Sequence, residues 1–193
     1  MAEALFRSKL MRDYPSLGWV EACSAGTSAI GGNPATSSAV QAMDLWGIDL
    51  EPHRASGLTP RQLREADLVL AMSRDHLLAI GRMEPGALER STTLKYLASL
   101  AERITGRLGE GTVGGEGETR ARIGRVLGLL RESAAGDGFL ADIQGRGSDI
   151  IDPIGSSLQV YLGVAEDIDR SLDGAMRALF GSPEKGGGSE RGP

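Results

Sequence analysis

Asp152-Pro153, within DIIDPIGSSLQVY, sets a carboxyl group on a proline-marked turn just ahead of a long amphipathic pattern. Asp-Pro pairs commonly initiate turns, so helix entry is one reading of the pair. A carboxyl on a loop before a helix is also placed to reach a ligand and to move a proton, if both protonation states are accessible near working pH. The single thiol, Cys23, is the other candidate reactive group. It lies in the strand-like run Trp19–Cys23 and not in a loop entering a helix. Cys23 is therefore expected to be a buried structural cysteine, packed as a small hydrophobe in a strand. Gly31-Gly32 reads as a plain turn rather than a phosphate cradle. His53 and His76 have no companion ligand motif, and both are expected on the surface or in packing.

The elements that must position these groups belong to one domain of ordinary composition. The 193 residues carry 24% charged and 40% apolar side chains, values typical of a soluble globular protein. The net charge of -5 argues against a nucleic-acid partner, which leaves a clustered basic footprint. No apolar stretch has the roughly 20 residues a membrane-spanning helix needs. One cysteine builds no disulfide framework, which suits a reducing compartment. The expectation is a cytoplasmic domain with no membrane segment.

Periodicity supplies the elements. Residues 1–13 read as a helix, Trp19–Cys23 as a short strand, and SAGTSAIGGNP as a loop of small residues. Pro34 is expected in the first turn of a helix that stops at Gly47. Thr59-Pro60 carries N-cap and N1 signals for another. Leu68–Met72 has the continuous apolar run of a doubly buried parallel strand, and Ser73 is suited to cap the helix that follows. Weaker strands are expected near 91–94 and 148–151. Residues 92–104 and the stretch containing Ile123, Val126, Leu127 and Leu130 read as helices, separated by a glycine-rich, mobile loop from Gly106 to Gly117. Leu158, Tyr161, Leu162, Ala165, Ile168, Leu172, Met176 and Leu179 recur at helical spacing and mark the clearest element. Residues 134–149 read as loop, and the GSPEKGGGSERGP tail as disordered. Strands alternating with helices imply an α/β fold with a parallel sheet. Yet the first helix has no strand before it to cross over from.

The stretches MAEALF, SAGTS with GNP, GIDLEPHRASGLT, EADLVLAMSRDHL and DIIDPIGSSLQVY, in this order, resemble the low-molecular-weight protein tyrosine phosphatases, a family that includes phosphoarginine phosphatases and arsenate reductases. The resemblance covers most of residues 1–80 and then 148–180. It implies a three-layer, flavodoxin-like parallel sheet over residues 1–180, with 105–147 a variable insertion and 181–193 a tail. It also implies a cysteinyl-phosphate mechanism in which Asp152 protonates the leaving oxygen and then activates water. Ile30 would fall in one wall of the substrate cleft. No cofactor or metal is implied, and the substrate would be a phosphorylated protein or a small phosphomonoester.

Members of the family open with a strand running into a CxxxxxCRSPMAEA loop, whose free helix N–H groups and Arg hold the phosphate. Met1 aligns with the Met of that motif. The expectation is therefore a sheet lacking its first, central strand, and a site lacking its nucleophile, within residues 1–193. A non-catalytic binding or regulatory role is the alternative. An arsenate reductase would need further redox cysteines, and none follows Cys23.

Overall fold

The computed structural model describes residues 1–135 and 149–184. Its longest element is the helix foreseen from the apolar stripe, Leu158–Phe180. Tyr161, Val164, Ala165, Ile168, Leu172, Ala175, Met176 and Leu179 are buried along it. Around that stripe pack α1 (Ala2–Asp13), α2 (Ser37–Asp44), α5 (Leu94–Ser99), α6 (Ala101–Leu108) and α7 (Glu116–Ala135), with Leu158–Phe180 as α8. No helix among the described residues is long and apolar enough to cross a membrane.

The sheet is small. β1 (Val69–Ala71) pairs in parallel with β2 (Ser91–Thr93), in the register Val69–Ser91, Leu70–Thr92 and Ala71–Thr93. Their crossover contains α4 (Arg74–Met83). Ser73 caps α4 by accepting from His76 N, and a complete capping box between Thr59 and Gln62 opens α3 (Pro60–Glu65) with Pro60 in its first turn. Both caps match the sequence signals, because a cap is a contact between near neighbours.

Several expectations are corrected. Trp19–Cys23 is not a strand. A strand forms where another backbone completes its N–H and C=O groups, and among the described residues none is paired with 19–23 in a ladder. Side chains of α1 hold this segment instead: Arg7 Nε donates to Ala22 O at 3.2 Å, and Ser24 Oγ donates to Glu3 at 2.6 Å. Residues 149–151 likewise form no strand; Ile150 N makes one bond to Met72 O at 2.8 Å. Pro34 lies outside α2, in an isolated antiparallel bridge to Arg54, while Thr36 caps the helix by accepting from Ala39 N. The single helix expected over 92–104 is broken at Leu100 (φ -98°, ψ 0°) into α5 and α6, and its first residues belong to β2.

The Gly106–Gly117 stretch is partly helical, since α6 runs to Leu108 and α7 begins at Glu116. Between them Val113 is buried and its N–H donates to Phe180 O at 3.0 Å. Gly181 (φ +87°) closes over this turn so tightly that a Cβ would sit 2.2 Å from Gly111 O. Arg122, almost wholly buried, ties the same corner by donating to Ala178 O and Gly109 O, each at 2.9 Å. Ser182 N bonds Glu110 O and Glu184 N bonds Asp13 O. The loop foreseen over 134–149 falls mostly on 136–148, which, with 185–193 of the tail, lie outside the described residues.

Two polar contacts lock the N-terminal region to α8. Lys9, 4% exposed, pairs with Asp169 at 2.9 Å and Asp173 at 2.6 Å. Tyr14 Oη donates to Gly181 O at 2.9 Å, with its ring edge against Phe180. Replacing Lys9 by Ala removes the shared cation and the stem that covers apolar surface. The expected loss in denaturant unfolding is about 2 kcal/mol, below the usual cost of breaking a fully buried pair because both carboxylates are partly hydrated; Lys9→Met, which keeps the stem, should lose less.

Burial pushes the Tyr14 phenol up to about 12. The protonated form is the one the fold prefers, so this stability is intact below the unfolded value near 10 and is lost as pH rises from about 10 to about 12. A decline on the order of 2 kcal/mol over that window is expected. Tyr14→Phe should lack that decline and cost about 1 kcal/mol at neutral pH.

Candidate active site

The Asp152 loop is built onto the carboxyl end of β1, the edge at which open α/β sheets bind their ligands. Met72, which follows β1, accepts from Ile150 N. Asp149 Oδ1 accepts from Arg74 N at 3.0 Å and Oδ2 from Arg74 Nε at 3.3 Å, so this carboxylate sits at the start of α4. Lys95 Nζ reaches Asp149 O at 3.4 Å from α5, and pairs with Asp167 on α8 at 2.7 Å. Beyond these anchors Asp152 is exposed. Its Oδ1 accepts from Ile154 N at 3.0 Å, an Asx turn, and it makes no ion pair among the described residues. Ser156 N bonds Pro153 O, Gly155 takes φ +77°, and the chain then enters α8. The rim is apolar: Ile151 and Ile154 are 69% and 70% exposed.

A second feature lies at the start of α1, which has Met1 at its N-cap position and no side-chain cap. There, Met1, Glu3, Ala4 and Arg7 face Asp49, Leu50, Pro52 and His53 across a cleft of about 240 Å³. Its charges are mostly engaged. Glu3 pairs with Arg7 at 2.9 Å, and Arg7 also holds Ala22 O. Neither Asp152 nor Ile30 lines this cleft.

The other residues singled out in the sequence are placed as follows. Ile30 is 72% exposed at the tip of the 24–34 loop, which is fastened to residues 54–58 through the bonds Gly26 N to Ser56 O, Leu58 N to Gly26 O and Ala55 N to Asn33 O. Cys23 is exposed, not buried: its segment lies along α1 without strand neighbours to cover it. His53 lines the cleft, a position that sequence reasoning assigned only to surface or packing. His76 is half-buried on α4. Asp67 pairs with Arg120 on the surface at 3.4 Å. Arg74 anchors Asp149. Asp149 and Lys95 went unnoticed in the sequence; the one available signal was an Asp three residues ahead of the Asp-Pro pair. Among the described residues no cluster of His, Cys, Asp and Glu is arranged to hold a metal ion.

Comparison with known proteins converges on one family. The family model of the low molecular weight phosphotyrosine protein phosphatases matches residues 1–108. A probable low molecular weight protein-tyrosine-phosphatase, EpsP of Ralstonia nicotianae, is 44% identical over 72 residues, 37% of this chain and 45% of that protein. The chain spans about half the length of the curated relatives it matches. Among solved structures, the low molecular weight protein tyrosine phosphatase of T. tengcongensis superposes with a TM-score of 0.60 at 28% identity, covering 92% of this chain and 88% of that one. The YwlE arginine phosphatase of Geobacillus stearothermophilus does so with a TM-score of 0.60 at 25% identity, covering 92% and 82%. With more than half of its length matched by the family model, and with the α/β architecture to accompany it, this chain belongs to the low-molecular-weight phosphotyrosine protein phosphatase family.

Proposed function

We propose that residues 1–193 carry the acid half of a phosphomonoesterase site, with Asp152 as the general acid and base. In this reading Asp152 gives its proton to the leaving oxygen of a phosphorylated protein or small phosphomonoester, and then takes one from the water that attacks a cysteinyl phosphate. The observation that carries the reading is the exposed Asp152 carboxylate, held on a short loop at the carboxyl end of β1 in a chain of this family. A carboxyl so placed meets both demands of acid–base catalysis, reach and contact with solvent protons.

The nucleophilic half is another matter. Cys23, the only thiol within residues 1–193, has Ala29 where a Cys-x5-Arg loop requires arginine. It also does not open onto a helix N-terminus, the setting that lowers a thiol's pKa and supplies N–H groups to an anion. The 193-residue chain by itself is thus proposed to be catalytically silent and to act in the cytoplasm, either joined to a Cys-x5-Arg segment or, as the second reading, as a binding or regulatory relative. The exposed apolar rim of Ile151 and Ile154 favours contact with a partner in either case. The names of similar proteins span tyrosine and arginine phosphatases, so phosphotyrosine and phosphoarginine are both proposed substrate classes.

The 193-residue chain should give no hydrolysis of para-nitrophenyl phosphate above buffer; turnover that disappears in Asp152→Ala would overturn the silent assignment. Fusing a family-type segment, an apolar strand followed by Cys-x5-Cys-Arg-Ser-Pro, ahead of Met1 should restore turnover. In that fusion Asp152→Ala should lower kcat/KM for phenyl phosphate, whose leaving group needs the proton, by about 10²- to 10⁴-fold, the usual weight of a positioned acid. A fusion that folds but stays inert would reject the phosphatase reading in favour of the non-catalytic one.

A further inference from the structure

The chain just ahead of Asp152 is fastened by side chains from two other elements, whereas among the described residues Asp152 itself is held by its own turn. Asp149 receives Arg74 N at 3.0 Å and Arg74 Nε at 3.3 Å, its carbonyl receives Lys95 Nζ at 3.4 Å, and Ile150 N bonds Met72 O at 2.8 Å. Past Ile150 the bonds are local: Ile154 N to Asp152 Oδ1 and Ser156 N to Pro153 O. With the acid two residues past the Ile150 anchor and three past Asp149, the direction of its carboxylate depends on where those anchors sit.

We propose that Asp149 is the positioning residue of the site: it holds the Asp152 loop against the carboxyl end of β1 through Arg74 and Lys95. The chemistry of the contact accounts for the residue type. One carboxylate oxygen takes a backbone N–H at the start of α4, where the helix dipole favours negative charge, and the other takes the guanidinium. An amide side chain offers a single acceptor and no charge. Asp149 is 36% exposed and Arg74 30%, so the pair adds little to global stability. Its contribution is geometric. The catalytic consequence rests on the acid role proposed for Asp152; the geometric consequence does not.

Amide hydrogen exchange followed by NMR on the 193-residue chain separates these. Ile154 N reports directly on the Asp152 carboxylate, and Ile150 N on the tether. In Asp149→Ala both amides should exchange about tenfold faster or more, as in a local opening, with Leu172 and Met176 in α8 unchanged. Asp149→Asn, which keeps the acceptor for Arg74 N, should fall between wild type and Ala. Unchanged exchange at Ile154, or equal acceleration throughout the molecule, would overturn the proposal. If Asp149→Ala does not fold, Lys95→Met, which releases the Asp149 carbonyl, must show the same selective acceleration or the proposal fails.

The Cys-x5-Arg fusion supplies a second readout. Phenolate leaves poorly and needs protonation, while para-nitrophenolate leaves well without it. Asp149→Ala in the fusion should therefore lower kcat/KM, which reports the step in which the leaving group departs, about tenfold more for phenyl phosphate than for para-nitrophenyl phosphate, as expected when an acid is misdirected. Equal losses on the two esters would overturn the positioning role. An inert fusion with Asp152 intact would count against the phosphatase reading alone, and the exchange experiment would still decide on Asp149.

Discussion

Among the described residues the ladder has two strands of three residues each, too small to organise a domain, and the burial of one helix face carries that task. The apolar stripe of α8 is the surface onto which α1, α2, α5, α6 and α7 all pack. Fully burying an aliphatic side chain such as Ile168, Leu172, Met176 or Leu179 contributes about 1.5–3 kcal/mol. Four such residues on one face therefore outweigh any single polar contact in the molecule. The core is continuous from Leu5 and Leu10 on α1, through Leu94 and Leu97 on α5, to Val126 and Leu130 on α7, and it meets itself along α8. A smaller cluster of Leu63, Ala71, Ile80 and Ala87 sits under α3 and α4.

This arrangement gives the candidate site an uneven footing. What is packed into the α8 core is fixed by volume and shape, where a missing methylene is felt at once. At the carboxyl end of the sheet, the Asp152 loop buries Ile150 but leaves Ile151 and Ile154 exposed, so beyond Ile150 its direction depends on polar contacts. Those contacts are individually weak, since Asp149, Arg74 and Lys95 are partly hydrated. They are nonetheless directional, because a hydrogen bond constrains both distance and angle. Stability and geometry thus come from different parts of the chain, as expected where a functional loop is mounted on a rigid frame.

The same division explains what was legible in the sequence. The stripe of α8, the Thr59 capping box and the Ser73 cap depend on residues a few positions apart, and all three matched. Trp19–Cys23 has the composition of a strand, but a strand is a relation between two backbones, and its partner is not among the described residues. Residues 149–151 failed for the same reason, holding one bond to Met72 in place of a ladder. Leu100 divides a pattern that periodicity reads as continuous, because a bend keeps the apolar spacing on both sides. Cys23 was misplaced through its segment: a cysteine in a covered strand is buried, and the same cysteine on an uncovered one is not. Asp149 could not be found from spacing, since Arg74 lies 75 positions away along the chain. The turn at Asp152 was readable because proline marks it and the α8 pattern follows at once.

The polar edge of α8 joins these two regimes. Asp169 and Asp173 hold Lys9 of α1, the helix whose first turn lines the cleft with His53. A few residues earlier, Asp167 holds Lys95 of α5, whose ammonium also reaches the Asp149 carbonyl ahead of the acid. One helix therefore orients both the α1 cleft and the Asp152 loop, with its apolar side setting the distance of α1 and α5 from its axis and its acidic side setting their rotation. Burial alone would leave each helix free to slide or turn by a fraction of its groove spacing, since apolar contact is non-directional. A lysine paired to a carboxylate at a fixed position on α8 removes that freedom. The relation between the two regions is then a property of α8 and not of the short sheet, which is why so small a sheet suffices to present the loop.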